Sequence, residues 1–258
     1  MFKTTCSLLL FVALSLKLAA AASLFADRVV SYDPGTGAAA RFLEPNAALG
    51  APSSLNPFGE PTDPFNPPYG TNQIVSLGAG GWLIVQFQTP LLNHPLHPYG
   101  LDFTIFGGAG FIITNEFDLT TFNWIGLPAT DGSLFAQNTG TSRISVSRDG
   151  LSYYTLDPSL APGVDSFPPS DSAGDALIPV APELTAADFA GATLDGIRSL
   201  YDGSAGGASF DISWARDAQG RAVFLPEINF VRIDVLSGKA EIDAVAAVGR
   251  VNRGASNL

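Results

Sequence analysis

Cysteine is nearly missing from this 258-residue chain: Cys6 is the only one, and it sits close to the N-terminal end. A lone thiol closes no bridge within the chain and builds no cysteine metal cluster, so the fold must rest on buried apolar surface. Lysine is scarce too, with Lys3, Lys17 and Lys239 alone. The 13 basic residues face 24 acidic ones, for a formal net charge of −11. A surface of that sign repels phosphate backbones and anionic lipid, which argues against nucleic acid and anionic membranes as partners. Histidine occurs twice, as His94 and His97 in "NHPLHPYG". After the first residues, no apolar run approaches the roughly 20 residues that span a bilayer as a helix.

The apolar run that does occur comes first. Lys3 precedes an apolar stretch from Leu8 to Leu18, and Ala19 to Ala22 supply small residues. That layout predicts a secretory signal peptide over residues 1–22, with Ser23 as the new N-terminus. Removing it would take Cys6, Lys3 and Lys17 away and make the rest more acidic. The length left, 23–249, suits one large β domain, with 250–258 as a loose tail carrying Arg250 and Arg253.

Glycine (27) and proline (19) are abundant and spread along the chain. Eight prolines between Pro34 and Pro68 exclude a central strand or long helix there. Residues 23–72 therefore read as an irregular lead-in, with short extended pieces over 26–31 and 38–42. Period-2 patterns follow in "QIVSL", "WLIVQFQ" and "LDFTIFG", the mark of half-buried strands. In "WLIVQFQ", Leu83, Val85 and Phe87 share one face. An aromatic-rich excursion, 111–138, reads mostly as loop. "ISVSRDGLSYYTL" predicts a hairpin turning at Asp149-Gly150, with Val146 opposite Tyr153 and Ile144 opposite Thr155. Thr185 and Asp188 in "TAADFAG" have capping-box spacing, and "LDGIRSLY" reads as one short helix. "ASFDISW" reads as a strand burying Phe210, Ile212 and Trp214. "INFVRIDVL" and "AEIDAVAAV" read as a closing antiparallel pair. Many short strands with almost no helix predict an all-β, antiparallel two-sheet sandwich, most plainly a jelly roll.

Several segments in order, "ALGAPS", "VSLGAGGWLIVQF", "GLDFTIFG", "ISVSRDGLSYYTL", "YDGSAGGASFDISWA" and "FVRIDVLSGKAEIDAVAAV", resemble the secreted, surface-associated proteins of planctomycete and verrucomicrobial type. Many of those end in a PEP-CTERM sorting tail. The resemblance implies a galactose-binding-like jelly roll, related in shape to discoidin domains and carbohydrate-binding modules, and it implies no reaction. The end of this chain, "VGRVNRGASNL", has no Pro-Glu-Pro motif and no apolar helix, so the sorting tail is absent from the pattern.

Chemistry is sparse. His94 and His97 have the H-x-x-H spacing of a metal pair, but the flanking prolines and the lack of a nearby carboxylate in sequence favour a plain surface loop. Glu116, Asp118, Asp211 and Glu227 cannot be paired as glycosidase acids from sequence. For a metal, calcium is the better fit: Asp211, Glu241 and Asp243 alternate with apolar strand positions and could gather near the Asp33 loop. For a ligand, Trp124, Tyr69, Tyr99 and Tyr154 fall in loops or on a wet strand face, where a sugar ring stacks on an aromatic side chain. Trp82 and Trp214 read as core. The expected role is a non-catalytic exported protein, extracellular or at the cell surface, recognising carbohydrate at its loop end. A structural matrix or envelope component without a small ligand comes second, and a carbohydrate-active enzyme third.

Overall fold

The computed structural model describes residues 23–249. The signal peptide expected over 1–22, with Cys6 in it, and the expected tail with Arg250 and Arg253 lie outside the described residues.

Two antiparallel sheets face each other. One has six strands in the order Arg28–Asp33, Trp82–Leu92, Glu227–Val235, Ser142–Ser147, Tyr154–Leu156 and Ala215–Arg216. The other has four: Ala208–Phe210, Phe103–Gly107, Lys239–Ala247 and Val75–Gly78. Leu83, Val85 and Phe87 are fully buried between the sheets, as the alternation requires, beside Val146, Val231 and Ile233. They meet Val75, Leu77, Ile105 and Ile242 of the smaller sheet, and Phe103 stacks on Phe210 at 5.2 Å. Each such side chain contributes about 1.5–3 kcal/mol through burial. One α-helix, Leu194–Tyr201, forms where expected, with Thr193 as its N-cap.

The smaller sheet is covered on both faces, which explains why its central strand shows so little polar alternation. Ala240, Ile242, Val245 and Ala247 of Lys239–Ala247 join the sandwich core. Ala244 and Ala246 pack on the other side with Phe106 and Ala205. The apolar parity changes from even to odd across a register shift between Ile242 and Ala244, so a bulge at Asp243 re-aims the strand.

Several local expectations are corrected. Glu227–Val235 and Lys239–Ala247 are not paired with each other; they belong to opposite sheets. The link between them crosses the sandwich because Val235 is already tied to the neighbouring corner, accepting from Gly80 N at 2.8 Å and donating to Gly81 O at 3.0 Å. The "ISVSRDGLSYYTL" hairpin exists one residue out of the expected register, with Val146 opposite Tyr154 and Ser145 opposite Thr155. The type I′ turn that Asp-Gly favours needs positive φ at both central positions, and only Gly150 (φ +73) has it. Instead Asp149 Oδ1 accepts from Leu151 N and Ser152 N, both at 2.8 Å, and widens the loop. "ASFDISW" stops being strand at Phe210, because the Asp211 carboxylate accepts from Ser213 N at 2.6 Å and starts a 3-10 turn, Ile212–Trp214. Residues 38–42 are irregular, whereas the first extended piece becomes the edge strand Arg28–Asp33. Trp82 is only half-buried: its Nε1 donates to Ser31 Oγ and Arg232 lies over its ring at 5.4 Å. Trp214 packs partly buried against the main core.

Candidate functional site: an aromatic cleft at the loop end

A second, smaller core lies beside the sandwich. Phe65, Phe111, Phe189, Ile197 and Tyr201 are buried together there, contributed by the lead-in, the excursion, a 3-10 turn and the helix. Phe111 and Phe189 stack at 5.1 Å, Tyr201 meets Phe189 edge-on at 5.9 Å, and the Tyr201 hydroxyl donates to Pro169 O at 2.6 Å. Thr185 and Asp188 form the expected cap around the 3-10 turn Ala186–Phe189, with Thr185 N donating to the Asp188 carboxylate at 2.8 Å. That cap seats Phe189 at the centre of the cluster.

Above this cluster opens a cleft of about 880 Å³. Phe65 and Phe111 belong to both, so the floor of the cleft is fixed by the packing beneath it. One wall comes from the excursion, with Trp124, Leu127 and Phe135. A short hairpin there pairs Phe117 with Trp124, whose rings meet edge-to-face at 4.9 Å. Asp118 closes its tip by accepting from Thr120 N at 2.7 Å and Thr121 Oγ1 at 2.9 Å, bonds that hold its carboxyl below the usual range. Asn115 clasps the base: its Nδ2 donates to Ile125 O and Leu127 O, and its Oδ1 accepts from Ala129 N at 2.7 Å. Ala129–Thr130 then pairs with Ala192–Thr193, joining the excursion to the start of the helix.

The polar groups lie on the remaining sides. Asp63 accepts from Phe65 N at 2.7 Å and Asn66 N at 3.0 Å, which folds "DPFN" into a turn presenting Asp63 and Asn66 to the cleft. Thr193 and Asp195 face it from the helix start. An aromatic wall with carboxylates, an amide and a hydroxyl around it can stack a sugar ring and collect its hydroxyls.

Of the four aromatics singled out from sequence, only Trp124 lines this cleft. Tyr69 is exposed elsewhere in the lead-in, edge-to-face with Phe58 at 6.0 Å. Tyr99 is exposed in the turn after His97, with a left-handed backbone (φ +57). Tyr154 packs against the main core, because the one-residue register shift turns it from the wet face to the dry one. Asp63, Asn66 and Phe135 join Trp124 on the cleft from segments with no periodic mark in the sequence, and Asp195 joins it from the start of the helix. The signal available for the first two was an aromatic held between prolines in "DPFNPP".

The carboxylates expected to gather around calcium do not converge. Asp211 caps the 3-10 turn after Phe210. Glu241 pairs with Lys239 Nζ at 2.6 Å. Asp243 is buried and accepts from Ser53 N at 2.9 Å and Ser53 Oγ at 2.7 Å, fastening the lead-in to the sheet. Among the described residues, no group of three or more His, Cys, Asp or Glu is placed to hold a metal ion. These side chains therefore do not fit calcium, which needs six to eight oxygens about one point.

Two other buried acids serve as clips. Asp165 accepts from Gly108 N, Ala109 N and Glu241 N at 2.7–2.9 Å. Burial pushes its carboxyl up to about 7, Glu241 adds to the rise, and the three N–H donors oppose it. Burial likewise raises Asp243 to about 7 against its two bonds from Ser53. The histidine loop also differs from the expected plain surface segment. His97 is buried, with Nδ1 2.8 Å from Asp102 Oδ1. Asp102 also accepts from His94 N and Ile212 N, and burial raises its carboxyl. A carboxylate five residues downstream in "LDFTIFG" thus completes a His–Asp pair that ties the loop to the sheet. Of the candidate glycosidase acids, Asp118 is taken up by its own turn, Asp211 by its cap on Ser213 N, and Glu227 by Arg148 at 3.1 Å.

No protein-family model matches the chain, and no curated protein is significantly similar to it.

Proposed function

We propose that this chain is a non-catalytic, carbohydrate-recognising protein built on a galactose-binding-like jelly roll, exported to the cell surface or beyond. The observation that carries the reading is Trp124 on the wall of an 880 Å³ cleft, with Asp63, Asn66, Thr193 and Asp195 on the same cleft. Sugars expose apolar C–H faces and a rim of hydroxyls, and this cleft offers a surface for each. The leader-like start of the sequence supports export, and the acidic surface suits solubility outside the cell.

A glycan array probed with the purified protein tests the proposal. Binding that falls at least tenfold in Trp124→Ala, with an unchanged melting temperature, supports it; silence across the array sinks it. A structural matrix or envelope role has its own support in the excursion hairpin. Leu119, Phe122 and Leu127 are each about three-quarters exposed there, an apolar group of the kind that marks contact surfaces. Under that reading, Trp124→Ala and a Leu119→Ser, Phe122→Ser double variant would weaken attachment to cell envelopes while leaving glycan binding absent.

A further inference from the structure

The charges around the cleft are unequal. Asp63 and Asp195 both line it, and no Lys, Arg or His does so among the described residues. Arg198, one turn along the helix from Asp195, feels the charge of both. Its guanidinium is already engaged: Nε and Nη2 donate to the Asp171 carboxylate at 2.7 and 3.1 Å. Asp171 is buried and holds Arg198 in place, so the guanidinium acts on Asp63 and Asp195 only as a background charge. The first-turn amides of Leu194–Tyr201 add partial positive charge, of about half a unit. Thr193 Oγ1 takes the Gly196 N–H, and Asp195 sets a full negative charge in that turn. The cleft therefore keeps a negative balance, and the chain's formal net charge of −11 reinforces it at long range.

Trp124 has the same preference, since the face of an indole ring attracts cations. Its ring is held edge-on by Phe117, which leaves it partly exposed beside the cleft. We infer that the cleft selects sugars carrying a free, protonated amino group over their N-acetylated forms, and rejects sugars bearing carboxylate or sulfate. The ammonium would meet Asp195, with Asp63 adding its charge, while the ring stacks on Trp124. This inference rests on the reading of the cleft as a sugar site.

Titration calorimetry on the purified protein in mildly acid buffer tests it, using a fully deacetylated chitosan tetrasaccharide and its N-acetylated counterpart. The deacetylated form is expected to bind about fivefold tighter, and raising the salt should erase that advantage. Asp195→Asn, an exposed and isosteric change, should bring the two ligands to equal affinity while keeping the Trp124 dependence. Equal or reversed affinities in the unaltered protein, with binding still lost in Trp124→Ala, would overturn the charge selectivity and leave carbohydrate recognition standing. Tighter binding of an oligogalacturonate would overturn it in the same way. Absence of binding by every oligosaccharide tested, neutral ones included, would overturn both.

Discussion

Tyr153 shows what one residue of register does. The alternating pattern placed it on the dry face opposite Val146, yet the Asp149 loop gives that place to Tyr154. Tyr153 is left with a buried hydroxyl that makes no hydrogen bond. Burial raises its ionisation above the usual tyrosine range. An unpaired buried hydroxyl costs about 1–3 kcal/mol. Tyr153→Phe should therefore stabilise the fold, by about 1 kcal/mol, read as a higher urea midpoint with an unchanged slope. A loss of stability would show that the hydroxyl has a partner in solution. His97 teaches the converse. Its proline-rich setting reads as surface, and only the return of the chain at Asp102 buries the ring.

Among the elements, the corner between Val75–Gly78 and Trp82–Leu92 leaves no room for a side chain at Gly78. The lead-in passes there with Gly78 N donating to Pro34 O at 2.7 Å and Thr36 N donating to Ala79 O at 2.9 Å. A Cβ on Gly78 would lie 2.5 Å from Ala38 N and in overlap with Thr36 O, and backbone cannot swing aside as a side chain can. Gly78→Ala should cost about 3 kcal/mol, the upper range for overpacking, and lower the melting temperature accordingly. A neutral result would mean that the lead-in lifts off the sheet without penalty. At this scale the strands were legible, because Leu83, Val85 and Phe87 carry a clean period of two. The excursion was not legible. Its hairpin is set by Asn115 bonds to residues ten to fourteen positions away, and such bonds leave no periodic trace.

For the molecule as a whole, Asp165 and Asp243 dominate the pH response in mildly acid solution. Both carboxyls rise from 3.8 to about 7 in the folded protein. Between those values the folded state holds protons that the unfolded chain has released. Stability is therefore fullest near pH 4 and falls as pH rises towards 7, by up to about 1.4 kcal/mol per pH unit for each group. Turn aspartates such as the exposed Asp149 and the half-buried Asp157 have lowered values and act in the opposite sense only below that window. Urea unfolding followed across the window should show the decline. Asp243→Asn, whose side-chain oxygen can still accept from Ser53, should roughly halve it. A flat profile in the unaltered protein would mean that both carboxylates stay ionised through compensating bonds.

The sequence by itself determined the sandwich. A period of two in the strands, proline in the lead-in and a shortage of helix formers leave few ways to bury 46% hydrophobic residues without disulfides. It also pointed to Trp124, which stands on the cleft wall beside Phe135. Which strands share a sheet, which carboxylates meet and what faces Trp124 were decided only in three dimensions. Asp63 and Asp195 are more than a hundred residues apart in the chain, and they come to one cleft because the lead-in, the excursion and the helix pack on a common cluster of Phe65, Phe111 and Phe189. Local patterns record which face of a strand is dry. They carry no record of which distant loop covers it, since that depends on how well the surfaces fit once the chain has returned.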